Sequence, residues 1–224
     1  MLAAPDIAET IGERTYRRIR SDIIFGRLQP GQRLRLEPLS AQYETSIATL
    51  RELLNRLLVE GLIVAEGQRG FEVAPVSAER WHEIAQMREL LECHALRQSI
   101  ENGDVEWEGR VVAAHHKLAT LEKRLLAGAR DQTETWKRYD WEFHHALISC
   151  CGSKALLDAH SAIFDKYLRY QIIAVVFRGE VPAREHLAMR DAALARDSAL
   201  ASDILVTHIR DCVDYTLKTG ALAS

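Results

Sequence analysis

The chain of 224 residues has no run of about 18 or more apolar residues, the length a membrane-spanning helix needs, so a membrane span is excluded. Its N-terminus, MLAAPDIAETIGER, has neither the basic region nor the apolar stretch of a secretory signal, and a cytoplasmic location is expected. Cysteine is scarce. Cys93, Cys150, Cys151 and Cys212 lack zinc-finger spacing, and the adjacent pair 150–151 suits a reducing compartment better than a disulfide framework. An excess of one charge sign is also missing: 29 Lys+Arg against 32 Asp+Glu give a formal net charge of -3, which by itself gives no hint of a nucleic-acid binder. Internal repeats, low-complexity tracts and long coiled-coil heptads are absent. What is abundant is apolar residues, at 47%, enough for a core and too many for a disordered chain.

Lysine is missing from the first half and first occurs at Lys117. Residues 1–76 hold ten arginines and ten acids, so this segment is neutral and the remainder carries the net charge. Arginine recognises guanine and phosphate through paired hydrogen bonds, whereas lysine is a point charge. Simple composition bias gives the same count.

Hydrophobic spacing organises the first segment. Ile11, Tyr16, Ile19, Ile23 and Ile24 place a helix over 9–26, with Gly26 and Pro30-Gly31 ending it in a turn. Pro38 suits the first turn of a short helix over 38–44. Thr45 or Ser46 can cap a third helix over 47–60, whose apolar face is Leu50, Leu53, Leu54, Leu57 and Leu58. Its other face carries Thr49, Arg51, Glu52, Asn55 and Arg56. Two short β runs, 62–66 and 71–75, then flank a glycine-bounded turn. Helix, helix, turn, helix and hairpin is the order of a winged helix-turn-helix, which sends its third helix into the major groove. A small α+β module that binds no DNA has the same spacing. From 77 onward the texture is helical throughout, with helices expected at 78–102, 106–128, 131–149, 153–178, 183–196 and 198–218, a mainly α bundle. The expected division is 1–76, DNA-binding, and 77–224, an all-helical sensor.

The run IRSDIIFGRLQPGQRL, followed by LREL, LLVEGLI and GFEVAPVS, resembles the GntR family of bacterial transcription regulators. The second half resembles the all-helical FCD effector domain of its FadR-like branch. Together the likeness covers about residues 12–218. ENGDVEWEG, CCGSKALL and FDKYLRY are similar to a glutarate-responsive branch of enteric repressors. The resemblance implies a homodimeric repressor on a palindromic operator, controlled by a small carboxylate. There are departures. The family usually carries Ser-Arg-Thr-Pro before its recognition helix, where this chain has Ser46-Ile47-Ala48-Thr49, so the arginine expected at 47 is missing. An arginine some relatives carry near Pro38 is missing too. Arg51 is retained. The expected DNA contacts are therefore Arg35, Ser46, Thr49, Arg51 and the wing pair Arg69 and Gly70. A solvated surface role for Arg35, and an i,i+4 pairing of Glu52 with Arg56, stand as alternatives.

Asp140 and His144 stand at i,i+4 on one helix, so a single turn can supply two metal ligands. The other histidines in helical runs, such as His82, His94, His115, His116, His145 and His160, show no such spacing. The family resemblance adds His186, in REHLAM, and His208, in VTHIRD, as the third and fourth ligands. Three imidazoles and one carboxylate suit zinc first, with nickel, cobalt or manganese also compatible. A six-coordinate ion would leave places for water or effector; a closed tetrahedral zinc would leave none. Arg88, where relatives carry arginine, and Arg169 are the candidate effector-binding residues, since guanidinium grips carboxylate in paired hydrogen bonds. An Arg88–Glu92 helix pair is the structural alternative. A metal-dependent hydrolase or lyase on the bundle is the rival function, but it leaves the N-terminal module without a role.

Overall fold

Capping chemistry sets the first boundary in the computed structural model, which describes residues 10–67, 70–129, 132–174, 178–218 and 220. Thr10 accepts from the Glu13 amide at 3.2 Å and opens α1 (Ile11–Ile24). Tyr16, Ile19, Ile23 and Ile24 are buried, but Ile11 is exposed. Five residues from Ile11 to Tyr16 turn the helix about 140° past a full turn, which takes Ile11 off the apolar face. Helix α2 (Leu36–Gln42) starts two residues before Pro38. The first turn's amides have no intrahelical acceptor, so proline fits at the third position as well as at the first.

Ser46 opens α3 (Ile47–Val59) by accepting from the Thr49 amide at 3.1 Å. A left-handed Gly61 (φ 72) closes it: the Gly61 amide donates to the Leu58 carbonyl and the Leu62 amide to that of Leu57. Strands β1 (Ile63–Glu66) and β2 (Gly70–Val73) form an antiparallel hairpin with Ile63 opposite Val73 and Glu66 opposite Gly70. The segment 31–34 lies along the other edge of β2, with Leu34 N–H donating to Phe71 at 2.8 Å and Val73 N–H to Gln32 at 2.9 Å. Ile19, Ile23, Leu50, Leu54, Leu57, Leu62 and Val73 make the core of this unit, Met1–Val76. Tyr43, buried, donates to Asp22 at 2.7 Å and ties the end of α2 to α1.

Among its described residues, the second unit, Ser77–Ser224, has six helices: α4 (Ala78–Asn102), α5 (Val105–Leu126), α6 (Thr133–Ile148), α7 (Lys154–Ile173), α8 (Glu180–Leu194) and α9 (Ser198–Lys218). Ser77, Asp104 and Ser153 each cap the helix that follows. Helix α4 packs on α6, α7 and α9, α5 on α6 and α8, and α8 on α9. Trp81, Trp107, Phe143, Phe164 and Tyr167 fill the interior. Helix α8 begins at Glu180 rather than 183 and holds Pro182 in its first turn, for the same reason as α2. Residues 131 and 175–177, expected to be helical, lie outside the described residues.

Candidate metal centre and DNA-reading face

Apolar residues on α6, α8 and α9 turn one polar group each, or two for α6, into the bundle. Asp140 and His144 come from α6, His186 from α8 and His208 from α9, all buried. One donor atom from each lies within 4.8 Å of all the others. His186 Nε2 is 3.3 Å and His144 Nε2 3.8 Å from Asp140 Oδ1.

Each imidazole is held from behind by a different carboxylate. His144 Nδ1–H donates to Glu92 of α4 at 2.5 Å, His186 Nδ1–H to Glu122 of α5 at 2.8 Å, and His208 Nδ1–H to Glu185 of α8 at 2.7 Å. A proton fixed on Nδ1 leaves Nε2 as the lone-pair nitrogen, which is how carboxylates orient metal-binding histidines. Nε2 of His144 is buried with no hydrogen-bond partner, and Nε2 of His186 has only the Asp140 carboxylate beside it, at 3.3 Å, although unpaired polar atoms in a core cost free energy. The donor set therefore fits a divalent ion. Ligand atoms around an ion at about 2.0–2.1 Å stand roughly 3–4 Å apart; the 3.3 and 3.8 Å separations from Asp140 match this, and the wider ones, within 4.8 Å, would close by less than 1 Å around an ion.

The electrostatics point the same way. Burial pushes His144 down, and burial with the neighbouring imidazoles pushes His208 well below its usual range, so both are neutral. Burial opposes ionisation of Asp140, but Lys137 and the hydrogen bond with His186 outweigh it and hold the carboxyl well below its usual range. For His186, burial disfavours the charged form, yet hydrogen bonds to Asp140 and Glu122 overcome it and push the group up to about 9. Without an ion, a proton on His186 serves as counter-charge to the carboxylates.

Of the two arginines expected to receive an effector, Arg88 is fully buried beside the cluster. Its Nε donates to Glu92 at 2.7 Å, Nη2 lies 3.2 Å from His144 Nδ1, and its guanidinium sits over the Phe164 and Tyr167 rings. The Arg88–Glu92 pair is thus formed, and it braces His144 from the side away from Asp140. Arg169 is placed elsewhere. His160, Phe164, Tyr167 and Gln171 form the α7 stripe toward the cluster, and a residue two positions from Tyr167 or Gln171 points about 160–200° away. Arg169 is buried there, and burial pushes it down to about 10. On the open side of the donors is a void of about 10 Å³, lined by Lys137, Asp140, Gln171, Arg178, His186 and His208 among others. A cavity of about 610 Å³ is an open groove between α4 and α9, and none of the four donors lines it.

Sequence reasoning missed Glu122, Glu185 and Lys137, and took Glu92 only as a partner for Arg88. The signal was there: Glu92 and Lys137 lie on the apolar stripes of their helices, and Glu122 continues the line Val111, His115, Leu118. A charged residue at a core register has a partner inside.

In the first unit, Arg35 precedes α2 and is exposed, Ser46 and Arg51 are exposed on the N-terminal part of α3, and Thr49 is half-buried. Ser46 and Thr49 hydroxyls are 3.0 Å apart. Ile47, where the arginine is missing, is exposed. Arg56 does not pair with Glu52; it donates to Glu13 of α1 at 3.1 Å and covers the Tyr16 ring. Gly70 has a structural reason to be glycine, because a Cβ there would stand 2.6 Å from the Glu66 carbonyl. Arg69 lies outside the described residues.

Comparison with known proteins decides the family. Residues 11–73 match the model for bacterial regulatory proteins of the gntR family, and residues 83–211 match the FCD domain. The chain belongs to the GntR family. It is 39% identical over 214 residues to the HTH-type transcriptional regulator BphR of Paraburkholderia xenovorans, covering 94% of this chain and 86% of the relative. It is 32% identical over 200 residues to the HTH-type transcriptional repressor GlaR of Escherichia coli, covering 87% and 90%. Its fold is similar to that of Escherichia coli McbR/YncC, with a TM-score of 0.79 and 17% identity, covering 94% of this chain and 99% of that one. This GntR protein is a transcription regulator and not an enzyme, which removes the hydrolase or lyase reading. GntR regulators bind operator DNA. Among the described residues, no helix is long and apolar enough to cross a membrane.

Proposed function

We propose that this GntR regulator is a repressor, reading a palindromic operator as a homodimer, and that a small organic acid bound beside a divalent ion controls its grip on DNA. Residues 1–76 would be the reading domain and 77–224 the sensor. Asp140, His144, His186 and His208 would hold the ion, zinc first, with nickel, cobalt or manganese also suited to this donor set. When bound, the ion supplies a Lewis-acidic centre for the acid's carboxylate. Glu92, Glu122 and Glu185 keep the three imidazoles in the ligating tautomer, and Arg88 braces Glu92. The observation that carries the reading is this threefold pairing of Nδ1 with carboxylate around converging Nε2 atoms.

On the DNA side, Arg51, Thr49 and Ser46 offer short polar and arginine contacts at the start of α3, with Arg35 and the wing pair Arg69 and Gly70 for the backbone. Repression is the role that the name of GlaR gives that relative. By linkage, an acid that loosens DNA must itself bind more weakly to the DNA complex. The test is paired. Elemental analysis of the double variant His186→Ala/His208→Ala should show loss of the ion found in the native chain, and a gel shift should show the variant's operator binding unresponsive to acids. An unchanged metal content would place the site elsewhere.

A further inference from the structure

The void beside the donors has the volume of about one water, room for a carboxylate oxygen rather than a whole molecule. Three buried or nearly buried cations surround the cluster, and they differ in how fully they are engaged. Arg88 donates Nε to Glu92 and lies over two rings, and although its buried Nη1 has no hydrogen-bond partner it does not line the void. Arg178 donates to Glu185 and to the His208 carbonyl. Lys137, one turn before Asp140 on α6, faces the void with a single hydrogen bond, 2.9 Å to Gln171 Oε1. Asp140 Oδ2 is 3.8 Å away, beyond hydrogen-bond reach, and the Trp136 ring lies 3.9 Å from Nζ. An ammonium has three N–H donors, and a buried cation so sparsely paired is costly unless a negative group completes it.

Charge narrows what that group is. With the three imidazoles neutral, as they are around an ion, the four carboxylates Glu92, Glu122, Asp140 and Glu185 face the three cations and leave one negative charge. A divalent ion on neutral imidazoles turns this into one positive charge. Resting on the metal-and-acid reading above, we infer that Lys137 anchors the effector's carboxylate and that the void accepts one negative charge, the head of a monocarboxylate. The oxygen that fills the void would lie between the ligand cluster and Lys137 Nζ, with the Gln171 amide fixing the lysine. A diacid with both ends in this space would restore an uncompensated negative charge, so any second carboxylate must lie beyond the cluster. This moves the anion receptor from Arg88 and Arg169 to Lys137.

The test uses the full-length, metal-loaded protein with acetate, lactate and glutarate as probes and sodium chloride as control. Metal content is read by elemental analysis and acid binding by the rise in melting temperature, since a ligand that binds the folded state stabilises it. Native protein should respond to acetate and lactate. Lys137→Met, similar in length and uncharged, should keep its ion and lose acid affinity by about tenfold or more, as one lost charge-assisted hydrogen bond implies. Lys137→Arg should keep part of the response. If Lys137→Met does not fold, Gln171→Leu, which removes only the lysine's support, should retain the ion and weaken the response. A Lys137→Met protein that holds its ion and binds the acids as tightly as native protein overturns the assignment of Lys137 alone. A native protein without an ion, or one that ignores all three acids when loaded, overturns the site reading and this inference together.

Discussion

Glu122 shows how one side chain can govern a site it does not enter. Its Oε1 accepts from His186 Nδ1 at 2.8 Å, and no other histidine ligand leans on it. Glu122→Gln should leave the helices intact and weaken metal binding about 10–100-fold, read by competition with a chelator. An unchanged affinity would make Glu122 a packing residue only. The raised His186 carries a pH prediction. Its folded value of about 9 lies above its usual 6.5, so in metal-free protein its stabilisation is complete below about 6.5 and fades as pH rises toward 9. Metal must displace this proton, so apparent metal affinity should rise with pH, by at most about tenfold per unit, and level off near 9. A titration flat from pH 6 to 9 would contradict a charged His186 in the metal-free state. Arg88 belongs to the same scale. Breaking its buried pair with Glu92 leaves a buried carboxylate with imidazole partners, His144 and His160, but no guanidinium, and Arg88→Ala should destabilise the fold by about 3 kcal/mol in a denaturant titration. A loss of acid response in that variant would therefore report stability before recognition.

At the scale of elements, α3 is a core helix and, on the proposed reading, the helix that meets DNA. Leu50, Leu53, Leu54 and Leu57 face inward, which leaves Ser46, Arg51, Glu52 and Asn55 outward. Arg51→Ala should abolish operator retention in a gel shift while the circular dichroism of the protein is unchanged; retained binding would reject α3 as the reader. Ser46→Ala removes a helix cap and should lower stability by about 1 kcal/mol, so its effect on DNA must be measured at equal folded fraction. Much of this was legible beforehand. Leucines at three- and four-residue gaps and Gly61 fixed α3, and the GntR likeness supplied His186 and His208. The starts of α2 and α8 were placed late because Pro38 was read as the start of its helix and Pro182 as part of the break before the next, whereas any of the first helical positions tolerates proline. The core registers of Glu92 and Glu122 were legible, but which histidine each carboxylate would meet was not, because Glu92, Glu122 and Glu185 come from three helices and only packing brings them to three different imidazoles. Arg169 shows the reverse: a plausible chemistry on a face of α7 that the bundle turns away.

For the whole molecule, net charge proved the wrong scale. A formal -3 averages a neutral, lysine-free first segment with an acidic remainder, and what bears on DNA is the placing of Arg51 and its neighbours on one exposed surface. A neutral reader relies on two half-sites and on specific contacts more than on bulk attraction. Non-specific DNA binding should therefore be weak, while operator affinity falls with salt in proportion to the phosphates contacted. A salt-independent operator affinity would argue against phosphate contacts by this protein. The measurement that bears most directly on the whole account is a titration of labelled operator by metal-loaded protein with and without acetate, lactate or glutarate, repeated after chelation. The account predicts that an acid changes operator affinity only while the ion is held by Asp140, His144, His186 and His208. An acid response that survives chelation, or an operator affinity indifferent to every acid in the loaded protein, would contradict it.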